Sequence, residues 1–185
     1  MAIDELGVRL REHALLEGDF LLRSGRRSTY DLDKYRFETL PELLSPLGER
    51  LAAAVREHEP ESVRLAGPAL GAVALAASAS LASGLPFVII RDSAKEYGTA
   101  NRIEGPFEAG ELVCLLEDVV TSGGALAESV EALREAGLVV RNAICVVDRE
   151  EGGADALARL GVRLRPLYTA GELVPAATSM QNPHG

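Results

Sequence analysis

Hydrophobic positions along this chain follow two different periods. Ile3, Leu6, Leu10 and Ala14 recur at helical spacing through residues 3–16, with Gly18 as the expected terminator. Residues 20–22 and 28–33 read as two short strands joined by a turn at Ser24, Gly25, Arg26 and Arg27. Pro41 opens a second helix striped by Leu43, Leu44, Leu47, Leu51, Ala54 and Val55. From residue 63 the two periods alternate. Strands are expected at 63–66, 87–90, 113–120, 139–147 and 162–167. Between them lie an Ala-rich helix at 72–82, a helix carrying Leu126, Val130 and Leu133 that Gly137 ends, and a helix at 154–160. Strand, helix and strand repeated in this way predict an α/β fold, an open and mostly parallel sheet flanked by helices on both faces.

One segment breaks the rhythm. Residues 91–110, RDSAKEYGTANRIEGPFEAG, separate two strands and have no helical stripe. An irregular connection of this length inside a domain is expected to be either a mobile functional lid or a solvated charged loop.

The 185 residues contain no repeat and no linker-like run, which predicts one domain. Within it, 1–40 would form an N-terminal helix and hood strands, 41–175 the α/β core, and 176–185 a frayed tail. With 47% hydrophobic residues but only 4% aromatic and no Trp, the core must be built from Ala, Leu and Val. A formal net charge of −9 argues against nucleic acid as a main partner, so an anionic small ligand would need locally concentrated positive charge. Cys114 and Cys145 lie in apolar runs and read as core residues, while His13, His58 and His184 are isolated and lack metal-ligand spacing. No apolar run approaches membrane-spanning length and no leader pattern opens the chain, so a soluble cytoplasmic protein is expected.

The candidate chemistry lies in residues 113–126, VCLLEDVVTSGGAL. Val113, Cys114, Leu115, Leu116, Val119 and Val120 have the near-continuous apolar character of a strand buried on both faces. Glu117 and Asp118 fall at its carboxyl end, where open α/β sheets bind ligands. Thr121, Ser122, Gly123 and Gly124 then offer hydroxyls and unhindered amides at a helix start, a cradle suited to a phosphate. Carboxylates for vicinal hydroxyls and amides for a phosphate suggest a phosphorylated sugar. Alternatively, the pair is a solvated strand end beside an ordinary turn. No Lys follows the glycines and there is no G-x-G-x-x-G, which speaks against a nucleoside triphosphate or dinucleotide.

VCLLEDVVTSGG resembles the phosphoribosyl pyrophosphate (PRPP) motif of type I phosphoribosyltransferases. Three further segments make the chain similar to the orotate phosphoribosyltransferase family: FLLRSGRRS at 20–28, RDSAKEYG at 91–98 and VVDRE at 146–150. Together they span nearly the whole chain. The resemblance implies the type I phosphoribosyltransferase fold with a small N-terminal hood, and Mg²⁺-dependent transfer of the phosphoribosyl group of PRPP to orotate, giving orotidine 5′-monophosphate and pyrophosphate. It assigns Glu117 and Asp118 to the ribose hydroxyls and the developing positive charge, with Lys95 as a catalytic lid residue. PRPP would also be held by Val119, Val120, Thr121, Ser122, Gly123, Gly124 and Ala125, by Gly67, Pro68 and Ala69 on the pyrophosphate side, and by Arg23, Arg91 and Tyr97. Orotate would meet Arg149, Tyr30 and Thr121. Mg²⁺ would be held mainly by substrate and water, with no direct protein ligand, and the lid would reach across a homodimer into the partner's site.

Read without the resemblance, Arg149 is equally compatible with an ion pair to Glu150 or Glu151. Asp92 stands where the family pattern has Lys, and Asp31 where an aromatic residue is common. Three functions are therefore compared: orotate transfer, transfer to another base, and PRPP sensing without catalysis.

Overall fold

The computed structural model describes residues 3–21, 27–92 and 102–174. The chain runs through α1 (Glu5–Ala14), β1 (Leu15–Leu21), β2 (Arg27–Leu32), α2 (Lys34–Glu38), α3 (Pro41–His58), β3 (Arg64–Pro68) and α4 (Gly71–Ser83). It continues through β4 (Phe87–Ile90), β5 (Ile103–Glu104), β6 (Leu112–Val120), α5 (Gly124–Glu135), β7 (Val139–Asp148), α6 (Gly153–Arg159), β8 (Arg163–Thr169) and α7 (Ala170–Leu173). The main sheet has the order β5-β4-β3-β6-β7-β8, parallel except for the antiparallel edge strand β5. β1 and β2 form a separate antiparallel pair, the expected N-terminal hood strands.

The apolar strands are apolar because both faces of the sheet are covered. On one face Cys114 and Leu116 of β6 pack with Ile144 of β7 against Leu47, Leu51 and Val55 of α3 and Leu75 of α4. On the other, Val113 and Leu115 pack with Cys145 against Leu126, Val130 and Leu133 of α5 and Leu157 of α6. The two cysteines thus belong to opposite layers, each a buried small hydrophobe. At the amino end of β6, Arg64 Nε donates to Glu111 Oε2 at 2.7 Å and Nη2 to Oε1 at 3.0 Å. This two-pronged pair ties β3 to the entry of β6, at the end of the sheet opposite Glu117 and Asp118.

Several elements differ from the sequence expectation. Helix α1 stops at Ala14, and Gly18, the expected terminator, lies inside β1 where the pairing register shifts between Glu17 and Phe20. The helix ends early because the chain from Leu15 pairs with β2, Leu15 opposite Leu32, so tertiary pairing overrides the local helical stripe. Helix α2 and the four-residue α7 were not expected. The stretch 91–110 is not irregular throughout: β5 pairs with β4, Ile103 is buried, and Arg91 N donates to Arg102 O at 2.8 Å. Residues 93–101, the centre of the expected lid, and the expected tail at 176–185 lie outside the described residues. No helix among the described residues is long and apolar enough to cross a membrane.

Helices α3 and α4 approach closely at Gly48, where Ser78 Oγ donates to Leu44 O at 3.0 Å. An added Cβ on Gly48 would lie 2.0 Å from Ser78 Oγ and 2.8 Å from the Ser78 backbone carbon. Replacing a helix-interior Gly by Ala ordinarily stabilises by about 1 kcal/mol, whereas overpacking of a filled contact costs about 1–3 kcal/mol. Gly48→Ala is therefore expected to lower the urea midpoint at unchanged slope. A midpoint equal to or above that of the parent would contradict this packing.

Candidate active site

The carboxyl ends of β3 and β6 and the start of α5 enclose a cavity of about 820 Å³. Glu117 and Asp118 stand on its floor, at the end of a strand that cannot carry charge farther back without burying it. Asp118 is only 2% exposed. Its Oδ1 accepts the Val119 N–H, and Glu117 Oε1 accepts the Asp118 N–H at 3.0 Å, so the local backbone orients both carboxylates. Residues 121–125 form the next wall. Gly123 takes the left-handed conformation (φ 80°) at the N-cap of α5, and a Cβ there would lie 2.9 Å from the Gly153 backbone, so glycine is required for both turn and packing. No side chain caps α5, which leaves the amides of its first turn available to a ligand.

The facing wall is the 67–71 loop. Pro68, Ala69 and Gly71 line the cavity, whereas Gly67 is set back within β3. A Cβ on Gly71 would lie 1.8 Å from Asp118 Oδ2, so this loop can touch the acidic pair only because a glycine is there. Arg91, Asp92 and Arg102 complete the rim. Arg91 Nη1 lies 3.3 Å from Glu104 Oε1, and Arg102 Nε donates to Arg91 O at 3.2 Å, so β5 fixes the base of the expected lid.

Two site residues were not singled out from the sequence. Lys34 and Glu38 lie four apart on α2, so they share one side of that helix, which Phe37 anchors in the core. Lys34 Nζ donates to Asp118 Oδ2 at 2.7 Å. Burial alone would lower the Lys34 pKa, but the hydrogen bond and charge of Asp118, with Glu117 and Glu38 beyond it, outweigh burial and leave it raised. Burial raises the Glu38 pKa, and the charge and hydrogen bonding of Asp118 push it further above the carboxylate range. Glu117 is raised in the same way, by burial first and then by Asp118. The signal for Lys34 was present, since it is one of only two lysines in the chain. What the sequence lacked was any sign that α2 folds beneath the acidic pair.

Arg149 stands just outside the cavity wall, tied to it by its backbone N–H, which donates to Val120 O at 2.8 Å. Its side chain is buried, 5% exposed, rather than solvated. The guanidinium lies 5.0 Å from the centre of the Tyr30 ring, with Nε on Glu151 Oε1 at 3.0 Å and Nη1 on Asp31 Oδ1 at 3.3 Å. Arg149 and Tyr30 are thus brought together, and Asp31 is a partner of Arg149. Arg23, Lys95 and Tyr97 lie outside the described residues.

The raised Glu38 pKa has a definite sign in stability. Above the ordinary value of 4.5 the unfolded chain gives up this proton while the folded chain keeps it, so Glu38 makes stability fall as pH rises toward its folded value. Glu38→Gln is expected to flatten the decline in Tm from mildly acidic to mildly alkaline pH, leaving the smaller contribution of Glu117. Parallel Tm profiles for the two proteins would contradict this.

No protein-family model matches the chain. An orotate phosphoribosyltransferase of Halobacterium salinarum is 48% identical over 176 residues, covering 95% of this chain and 98% of the relative. The crystal structure of orotate phosphoribosyltransferase from Aeropyrum pernix matches with a TM-score of 0.79 at 34% identity, covering 90% of this chain and 93% of that one. That of the Mycobacterium tuberculosis enzyme in complex with 5-phospho-α-D-ribosyl 1-diphosphate matches with a TM-score of 0.76 at 26% identity, covering 91% and 96%. By this identity over nearly its whole length, and by a fold that places the acidic pair, the small-residue loop and Arg149 at one end of the sheet, the chain belongs to the orotate phosphoribosyltransferase family of type I phosphoribosyltransferases.

Proposed function

We propose that this protein is an orotate phosphoribosyltransferase, transferring the phosphoribosyl group of PRPP to orotate in the synthesis of UMP. The observation that carries the reading is the cavity at the carboxyl end of β6, where an acidic pair lies between an uncapped helix start and a glycine-containing loop. In this reading the amides and hydroxyls of Thr121, Ser122, Gly123, Gly124 and Ala125 take the 5′-phosphate, beside the backbone of Val119 and Val120. Glu117 and Asp118 take the ribose hydroxyls. Pro68 and Ala69, with Gly67 behind them, form the pyrophosphate side, and Arg91 takes pyrophosphate at the rim. Arg23, Lys95 and Tyr97 join them by resemblance to the family.

The bond from the ribosyl carbon to the pyrophosphate oxygen breaks, the bond to the orotate ring nitrogen forms, and the ring N–H proton is released. Positive charge develops on the ribosyl ring as pyrophosphate leaves. Carboxylates fixed beside it by backbone hydrogen bonds stabilise that charge without having to reorient. Mg²⁺ would serve to neutralise pyrophosphate. Among the described residues no cluster of three or more His, Cys, Asp or Glu could hold a metal; Mg²⁺ would be carried mainly by substrate oxygens and water, while Glu117 and Asp118 would hold the ribose hydroxyls. A homodimer sharing its lids, in the cytoplasm, completes the reading and rests on the family resemblance.

Arg149 selects the base. Its planar fork matches the orotate carboxylate, which would take over contacts now made by Asp31 and Glu151 above the Tyr30 ring, with Thr121 on the ribose side. Asp92 at the cavity rim is the feature that favours a PRPP-sensing regulator instead. An assay of pyrophosphate release decides between these functions. Turnover is expected with orotate and Mg²⁺, and not with adenine, hypoxanthine or uracil; PRPP binding with no pyrophosphate released whichever base is supplied would favour the regulator. Arg149→Lys is expected to raise the orotate KM by about tenfold or more, the scale of one bidentate contact, while leaving the PRPP KM nearly unchanged. An unaltered orotate KM would remove Arg149 from base recognition.

A further inference from the structure

Among the described residues, Lys34 is the one cation lining the cavity that belongs to neither the acidic motif, the 67–71 loop nor the rim. The described cavity carries three cations, Lys34, Arg91 and Arg102, against four acids, Asp92, Glu117, Asp118 and Glu128. Of the three, Arg91 is paired with Glu104 and Arg102 is bonded to the Arg91 carbonyl. A polyanion entering a chain of net charge −9 has to find positive charge inside the cavity. Lys34 supplies it at a particular place: its Nζ is 2.7 Å from Asp118 Oδ2 and would lie 2.6 Å from a Cβ on Gly71. The ammonium therefore sits in the gap between the acidic pair and the opposite loop, where the sugar and the pyrophosphate of one substrate molecule would meet.

We propose that Lys34 is a pyrophosphate-binding residue whose ion pair with Asp118 is a resting state, exchanged when PRPP enters. This rests on the reading of the 67–71 loop as the pyrophosphate side of a phosphoribosyltransferase. On binding, Nζ leaves Asp118 Oδ2 for a pyrophosphate oxygen, and Asp118 accepts a ribose hydroxyl in its place. Each charged group then keeps a partner through the exchange, as a buried carboxylate requires. Without ligand, the same pair prevents Asp118 from standing as a bare charge that would repel the incoming phosphates. The gap is narrow at this point, since a Cβ on Gly71 would meet both Lys34 Nζ and Asp118 Oδ2, and a compact ammonium suits it. Helix α2 is the device that holds it there, since Phe37 is fully buried three residues on and fixes the side of the helix that carries Lys34.

The test is calorimetric titration of inorganic pyrophosphate, in the presence of Mg²⁺, into the intact parent protein, Lys34→Gln, Asp118→Asn and the double variant. Direct contact predicts that Lys34→Gln weakens pyrophosphate binding by about tenfold or more, the scale of one charge-assisted bond, in both the parent and the Asp118→Asn backgrounds. The double variant carries no unpaired charge and keeps the measurement meaningful if Lys34→Gln alone folds poorly. Unchanged affinity in Lys34→Gln, a loss that disappears in the Asp118→Asn background, or no binding to the parent protein would each overturn the proposal. The titration needs no orotate, so absent orotate turnover with intact pyrophosphate binding would remove the base assignment and leave Lys34 in place.

Discussion

A strand buried on both faces cannot carry charge along its length, and the site depends on this constraint at β6. Seven of its nine residues are apolar, and Cys114, Leu116, Val113 and Leu115 fill the two core layers. Glu117 and Asp118 come where the strand leaves those layers. The packing that makes the sheet stable thus also sets the two carboxylates at its carboxyl end, against the helix α5 that packs on the same strand. Deleting a buried side chain such as Leu116 would cost about 2–5 kcal/mol and would also loosen the base on which the acids stand.

The second organising feature is electrostatic. Burial first, and then the charge of Asp118, raises the pKa of Glu117 and of Glu38, while Asp118 is paired with Lys34. Arg149, just outside the cavity wall, is held in the same way by Asp31 and Glu151 over Tyr30. In both places an ion pair within the protein occupies groups suited to an anionic or hydroxylated substrate. In the proposed reading, binding would be an exchange of partners instead of the desolvation of isolated charges.

The parts of this arrangement that were legible in the sequence are those in which local pattern and tertiary role agree. The run from Val113 to Val120 reads as a buried strand because burial on both faces is what makes it uniformly apolar, and the Thr-Ser-Gly-Gly loop reads as a cradle because small residues permit close approach. Where tertiary contacts override the local pattern, the reading failed. Residues 15–16 continue the helical stripe of α1, yet pairing with β2 makes them strand. Residues 103–104 look like part of an irregular connection, yet β4 recruits them as an edge. Helix α2 is too short to show a period, and the bond from Lys34 to Asp118 joins residues 84 apart in the chain. A pattern along one chain holds no trace of such a contact. Arg149 was found through its family resemblance, because a lone Arg beside two Glu residues has no distinctive local signal.

The most direct measurement is a crystal structure of the protein with PRPP and Mg²⁺. It is expected to show the 5′-phosphate on the amides of residues 121–125, the ribose hydroxyls on Glu117 and Asp118, and Lys34 Nζ moved from Asp118 to a pyrophosphate oxygen. PRPP bound away from the end of β6, or bound there with its ribose hydroxyls turned from the two carboxylates, would contradict the central assignment.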